Sequence, residues 1–177
     1  MKKFLVAAIM AIMSLGAFAQ DWYAGGSVGF WRNSGKNETT FNILPEIGYN
    51  LTNKVAVGAV VGYSYNYFDK VNRHLIEIDP YLRYSFYKNS RINVFVDGGV
   101  DLGFGVSKVD HHSSKTAVVF GVGFKPGIAY NFTDRFSIVA HVGFLGYHGG
   151  NKASHEPDTG GFYLDGNDLS FGLYYNF

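Results

Sequence analysis

Eight side chains able to carry protons or hold ions stand out in this chain for their spacing: Glu46, Glu77, Asp79, Arg83, Asp97, Asp101, Lys125 and His141. Where several fall in one stretch they lie an even number of residues apart, so on an extended backbone they share a face. The same face carries Gly58, Gly62, Gly99, Gly103, Gly127 and Gly143. Charges interspersed with glycines describe a narrow interior, and two chemistries suit it: a proton or ion path, or a network of buried pairs. The network is expected, with Arg83 and Lys125 held among the carboxylates and the surplus acids met by a protonated carboxyl or trapped water. Four further histidines, His111, His112, His148 and His155, fall in polar stretches that read as loops. His111 and His112 are adjacent and so point apart, and no cysteine accompanies them. Solvated loops are expected there, with no metal and no cofactor.

A fourfold repeat positions these groups. Residues 45–51, 80–86, 126–132 and 171–177 each carry Ile or Leu, then Tyr, then Leu or Phe at alternate positions. Three of them run into short polar turns at 52–54, 88–91 and 133–135; the fourth ends the sequence. Alternating runs at 55–67, 92–106 and 136–147 follow those turns, and 22–31 precedes the first repeat, which makes eight strands. The remaining connections, 32–38, 69–73, 107–115 and 149–161, are longer and rich in Gly, Ser, Asn, Lys and His. Short turns at one end and long loops at the other are the asymmetry of an outer-membrane barrel. Asn37, Asn50 and Asn131 open Asn-x-Thr triplets, which read here as loop and turn chemistry rather than glycosylation sites.

The face opposite the charges is apolar. It reads Val55, Val57, Val61, Tyr63 and Tyr65; Ile76, Ile78, Leu82, Tyr84 and Phe86; Ile92, Val94, Val96, Val100, Leu102 and Phe104. It continues through Val118, Phe120, Val122, Phe124, Ile128, Tyr130 and Phe132, then Phe136, Ile138, Val142 and Phe144. Turned inward, as in a soluble barrel, this set overfills an eight-stranded interior. Turned outward to lipid, it leaves glycines and a few charges to fill the narrow middle, and ring closure satisfies every backbone group. Tyr49, Tyr84, Tyr130 and Tyr175, with Leu51, Phe86, Phe132 and Phe177 two positions on, are expected to form an interfacial girdle at the turn end. Trp31, Tyr63, Tyr65, Phe104 and Tyr147 contribute to the opposite one. The expected fold class is therefore all-β, an eight-stranded antiparallel up-and-down transmembrane barrel.

Lys2 and Lys3, an apolar run over 4–15 and the small-residue stretch Gly16-Ala17-Phe18-Ala19 have the form of a secretory signal peptide. Its apolar core is too short to span a bilayer as a helix. Residues 1–19 are expected to be removed, leaving 20–177 as a single barrel domain. Fifteen basic and fourteen acidic residues give no field for nucleic acid, and with no cysteine the exported chain has neither disulfides nor a lipid-bearing thiol.

The signal, the eight alternating strands and the terminal Leu173-Tyr174-Tyr175-Asn176-Phe177 resemble the small eight-stranded outer-membrane β-barrel family. This is the outer membrane protein beta-barrel domain that includes the OmpA transmembrane domain and OmpX-like proteins. The likeness covers the whole mature chain. It implies a non-enzymatic protein of the Gram-negative outer membrane, exported through the Sec pathway, that supports envelope integrity or presents its loops for adhesion or other contacts. Its implied partners are outer-membrane lipid and, during biogenesis, the barrel-assembly machinery, for which Phe177, Tyr175 and Leu173 form the signal. A monomer is expected, and no ligand of the loops is defined. The sequence departs from the family pattern twice: no peptidoglycan-binding domain is expected after the barrel, and Pro45, Pro80 and Pro126 fall inside strands, which implies bulges there or later strand starts. A narrow transport channel remains an alternative. So does a lipid A deacylase, another eight-stranded barrel, whose His-x-Ser-Asn motif followed by Pro and Gly is similar to His148, Asn151, Pro157 and Gly160. Gly150 occupies the place of the serine, however, and without that hydroxyl no acyl-enzyme forms.

Overall fold

The computed structural model of the chain describes residues 21–33, 35, 37–68, 70–109, 113–154, 158–163 and 170–177. The leader expected at 1–19, His111, His112 and His155 lie outside the described residues, as does the Trp31 side chain. The strands are β1 (Trp22–Asn33), β2 (Glu38–Asn50), β3 (Val55–Phe68), β4 (Val71–Lys88), β5 (Ile92–Val109) and β6 (Ser113–Asn131), followed by β7 (Phe136–His141), β8 (Phe144–Gly150), β9 (Thr159–Tyr163) and β10 (Ser170–Asn176). β7 with β8 and β9 with β10 each form one wall strand in two pieces. Consecutive antiparallel pairing from β1 to β6, then β6 to β7 and β8, β7 to β10 and β10 back to β1 closes an eight-stranded barrel.

The two faces divide as alternation requires. Ile76, Ile78, Leu82, Tyr84 and Phe86 are exposed on β4, and Phe120, Val122, Phe124, Ile128 and Tyr130 on β6. Phe30 is 70% exposed and Leu173 68%, whereas Phe95 on the opposite face of its strand is wholly buried. In water such a surface would aggregate; against lipid tails it is a solvated face. Where the strands leave the turn end, rings meet at 5.1 Å for Trp22 with Tyr49, Tyr130 with Phe132 and Phe136 with Tyr175, forming the girdle at that rim.

The turns repeat one device. Thr52 Oγ1 accepts the N–H groups of Lys54 and Val55, Thr133 Oγ1 those of Arg135 and Phe136, and Asn89 Oδ1 those of Arg91 and Ile92. A short polar side chain thus satisfies the donors that the reversing backbone leaves open. Asparagines at the ends of the even strands do the same for carbonyls at the rim: Asn50 Nδ2 donates to Asp21 O and Asn131 Nδ2 to Ser90 O.

Three expectations need correction. The connections expected at 32–38, 69–73 and 107–115 are much shorter, because β1 runs to Asn33, β4 begins at Val71, and β5 and β6 extend to Val109 and from Ser113. Polar residues there pair as ladder once they clear the bilayer, where composition no longer separates strand from loop. The strands carrying the prolines begin earlier, not later, and each proline faces outward where a ladder is interrupted. The β2–β3 register lacks Leu44 and Pro45, the β4–β5 register lacks Asp79 and Pro80, and Pro126 faces the break between β7 and β8. A residue without an N–H is tolerated where no ladder bond is required of it. Finally, Phe144 points inward. Gly127 pairs with His141 but Phe124 with Leu145, so Val142 and Gly143 contain one residue more than the facing strand. Val142 N–H donates to Pro126 O at 2.9 Å, and Gly143 takes φ 72°. One extra residue reverses the faces beyond it, turning Phe144 in and Leu145 out.

Candidate functional site in the barrel interior

Glycines make room for the inward aromatics. Tyr23 stands directly across the ladder from Gly48, Tyr81 from Gly58, Phe95 from Gly127 and Tyr174 from Gly25. In each case a Cβ on the glycine would strike the ring opposite, so the ring lies over bare backbone.

These rings enclose Arg83. Its guanidinium carbon lies 4.0 Å from the centroid of Phe95, 5.1 Å from Tyr81, 5.5 Å from Tyr23 and 6.0 Å from Tyr174. Nε and Nη2 donate to the two oxygens of Asp97, each at 2.7 Å, the fork-to-fork geometry that arginine makes best. Nη2 also approaches Glu46 Oε1 at 3.4 Å. Glu46 accepts hydroxyl hydrogen bonds from Tyr81 and Tyr174, and the Tyr23 and Tyr81 hydroxyls are 2.6 Å apart. His141 Nε2 lies 2.8 Å from Asp97 Oδ2, with its ring edge-on to Phe95. Arg83, Asp97 and Glu46 are all buried, so their charges persist through pairing with one another rather than with water.

A second, looser group lies above this waist. Lys125 Nζ donates to Asp101 Oδ1 at 2.7 Å, and both side chains are about one-third exposed. Asp79 Oδ1 accepts the Leu102 N–H at 3.2 Å beside the ladder gap at Pro80. Glu77 lines the upper cavity with His148. A cavity of about 140 Å³ separates the two groups; the upper one opens over about 370 Å³ towards the end of the barrel opposite the turns, and about 240 Å³ lies below Arg83 towards the turns.

The eight residues singled out by spacing thus separate into two sets. Glu46, Arg83, Asp97 and His141 meet at the waist, Lys125 meets Asp101, and Asp79 and Glu77 stand beside that pair without joining the waist. Sequence reasoning missed Tyr23, Tyr81, Phe95 and Tyr174, which complete the enclosure. The signal was present: Tyr81 shares parity with Asp79 and Arg83, and Phe95 with Asp97, but rings on an otherwise charged face were passed over.

Of the deacylase-like residues, Pro157 lies outside the described residues. Asn151 is taken up by local structure: its Nδ2 donates to Thr116 O at 2.8 Å and its Oδ1 accepts from Val118 and Ser154. Arg73 reaches across from β4 to donate to Ser154 O at 2.6 Å, which pins this turn over the mouth.

A family model described as the outer membrane protein beta-barrel domain matches residues 4–177. Among solved structures, the crystal structure of Neisserial surface protein A is similar at 18% identity and a TM-score of 0.60, over 88% of this chain and 96% of that one. The N-terminal β-barrel domain of Pseudomonas aeruginosa OprF is similar at 19% identity and a TM-score of 0.55, over 90% and 99%. At these identities the likeness is one of fold. No curated protein matches the chain.

Proposed function

Since the chain belongs to the outer membrane protein beta-barrel domain family, we propose that it is a non-enzymatic structural protein of the outer membrane, monomeric and without a continuous pore. Its location in that membrane follows from the family; export through the Sec pathway and assembly by the barrel machinery through Leu173, Tyr175 and Phe177 belong to the proposal. The observation that carries it is the waist. Arg83, four aromatic rings and two carboxylates fill the section where a conduction path would pass, and each charge there is spent on another. The outer wall supports the same reading. From Ile76 to Phe86 on β4 the outward apolar run covers ten residue steps (76 to 86). At roughly 3.3 Å per residue and a tilt near 40° that is ~25 Å of apolar wall, the height of a barrel's lipid-facing band.

Envelope structure is favoured over adhesion because three of the four outer connections are only a few residues long, which leaves little surface to present. Hydrolysis is disfavoured because Gly150 supplies no nucleophile and Asn151 is occupied in its turn. The purified protein in planar bilayers is expected to show no steady single-channel conductance. A stable open level would replace this reading with transport, and a change in lipid A acyl number that follows the presence of the gene would replace it with hydrolysis.

A further inference from the structure

The described ladders of the barrel wall differ in length. β5 and β6 share a ladder eighteen residues long, from Ile92 and Tyr130 to Val109 and Ser113. β3 and β4 share one of fourteen. The seam between the first and last strands runs only from Tyr23 and Asn176 to Ser27 and Gly172, five residues among those described. On its other side the last wall strand pairs with the seventh over six residues in β10 and five in β9, and the seventh pairs with β6 over five in β7 and six in β8. In lipid each ladder bond counts, since no water replaces a lost one. Among the described residues, the seam between the first and last strands is the shortest wall-to-wall ladder.

The interior circuit crosses this sector. Tyr174 on β10 reaches past β1 to donate to Glu46 Oε2 on β2, and Glu46 Oε1 accepts from Tyr81 on β4. Tyr23, on β1, joins through its hydroxyl contact with Tyr81. From Tyr81 the path passes to Arg83 on the same strand, then to Asp97 on β5 and His141 on β7, the strand that pairs with β10. The side chains thus form a loop that leaves the last strand and returns to its neighbour, with the closing seam inside it. An ionised carboxylate only accepts, so Glu46 can take both tyrosine hydroxyls and the guanidinium at once.

We propose that Glu46 is the closure latch of the barrel: its carboxylate fastens the last strand to the second across the first and holds the ring shut at the seam between its first and last strands. Glu46 and Tyr174 lie 128 residues apart, so their bond forms only when β10 docks, at the step that turns an open sheet into a ring.

Residue-resolved hydrogen exchange on the folded full-length barrel in lipid nanodiscs tests the latch. Tyr174→Phe keeps the ring over Gly25 and deletes only the hydroxyl. In this variant and in Glu46→Gln, amides at 23–27 and 172–176 are expected to exchange about tenfold faster or more, while those at 94–102 on β5 keep their rates. Glu77→Gln, outside the circuit, is expected to leave both regions alone. Tyr174→Phe is expected to add less in the Glu46→Gln background than in the wild type, because its hydroxyl has already lost the ionised acceptor there. Unchanged seam rates would overturn the latch, and so would equal acceleration on β5, which would make the network a general stabiliser. If Glu46→Gln does not fold, Tyr174→Phe alone decides.

Discussion

Arg83 is the residue on which the interior depends most, because among the described residues no other lysine or arginine is salt-bridged to either of its two carboxylate partners. Replacing it with alanine leaves buried Asp97 with His141 and buried Glu46 with two hydroxyls but neither with its guanidinium, and breaking a buried pair in this way typically costs about 3–5 kcal/mol. Denaturant unfolding in lipid, followed by the fluorescence of Trp22 and Trp31, is expected to show a loss of that size. Lys125→Ala removes a pair of the same length whose side chains are about one-third exposed, and solvent screening limits its loss to under ~1 kcal/mol. Equal losses for the two would mean that burial is not what separates them. The glycines divide in the same way. A Cβ at Gly127 would lie 2.5 Å from Cζ of Phe95, a ring with no free space to retreat into, whereas one at Gly161 meets nothing within 4 Å. Gly127→Ala is expected to lose about 1–3 kcal/mol by overpacking, and Gly161→Ala to stay within ~0.5 kcal/mol of wild type.

Among the elements, the seventh wall strand shows how one residue redirects many. The extra residue at Val142 and Gly143 sends Phe144 into the barrel, where Gly123 and Gly146 leave space for its ring. Gly143 stands at φ 72°, where a side chain adds roughly 1–2 kcal/mol of strain. Gly143→Ala is expected to lower unfolding free energy by that amount, and a neutral outcome would show that the bulge relaxes without it. Alternation along 136–147 was legible as a strand, but the break was not. Val142 and Phe144 sit at alternate positions of an apolar run, and nothing local says that the register slips between them. The slip is set by the facing strand, where Pro126 has no N–H to offer and its carbonyl takes Val142 instead.

For the whole molecule, lipid acts as the solvent and closure as the condition of stability. A protein of this kind is expected to migrate faster on gels before boiling than after, and outer-membrane preparations lacking the fast band would contradict the closed barrel. Intact mass of the membrane-extracted protein is expected to correspond to a chain beginning at Gln20. A mass that retains residues 1–19 would exclude the proposed processing.

By itself the sequence determined the strand number and the in-out sense of the faces. Each is a matter of parity along one strand, and a bilayer punishes every exception. Only the tertiary structure decided which inward charges meet. Glu46, Arg83, Asp97 and Tyr174 lie on four different strands, and their contact depends on the stagger between walls and on which glycine faces which ring. The outer connections escaped the sequence for a related reason: beyond the lipid, polar strand and polar loop have the same composition, and pairing with a neighbour is what separates them.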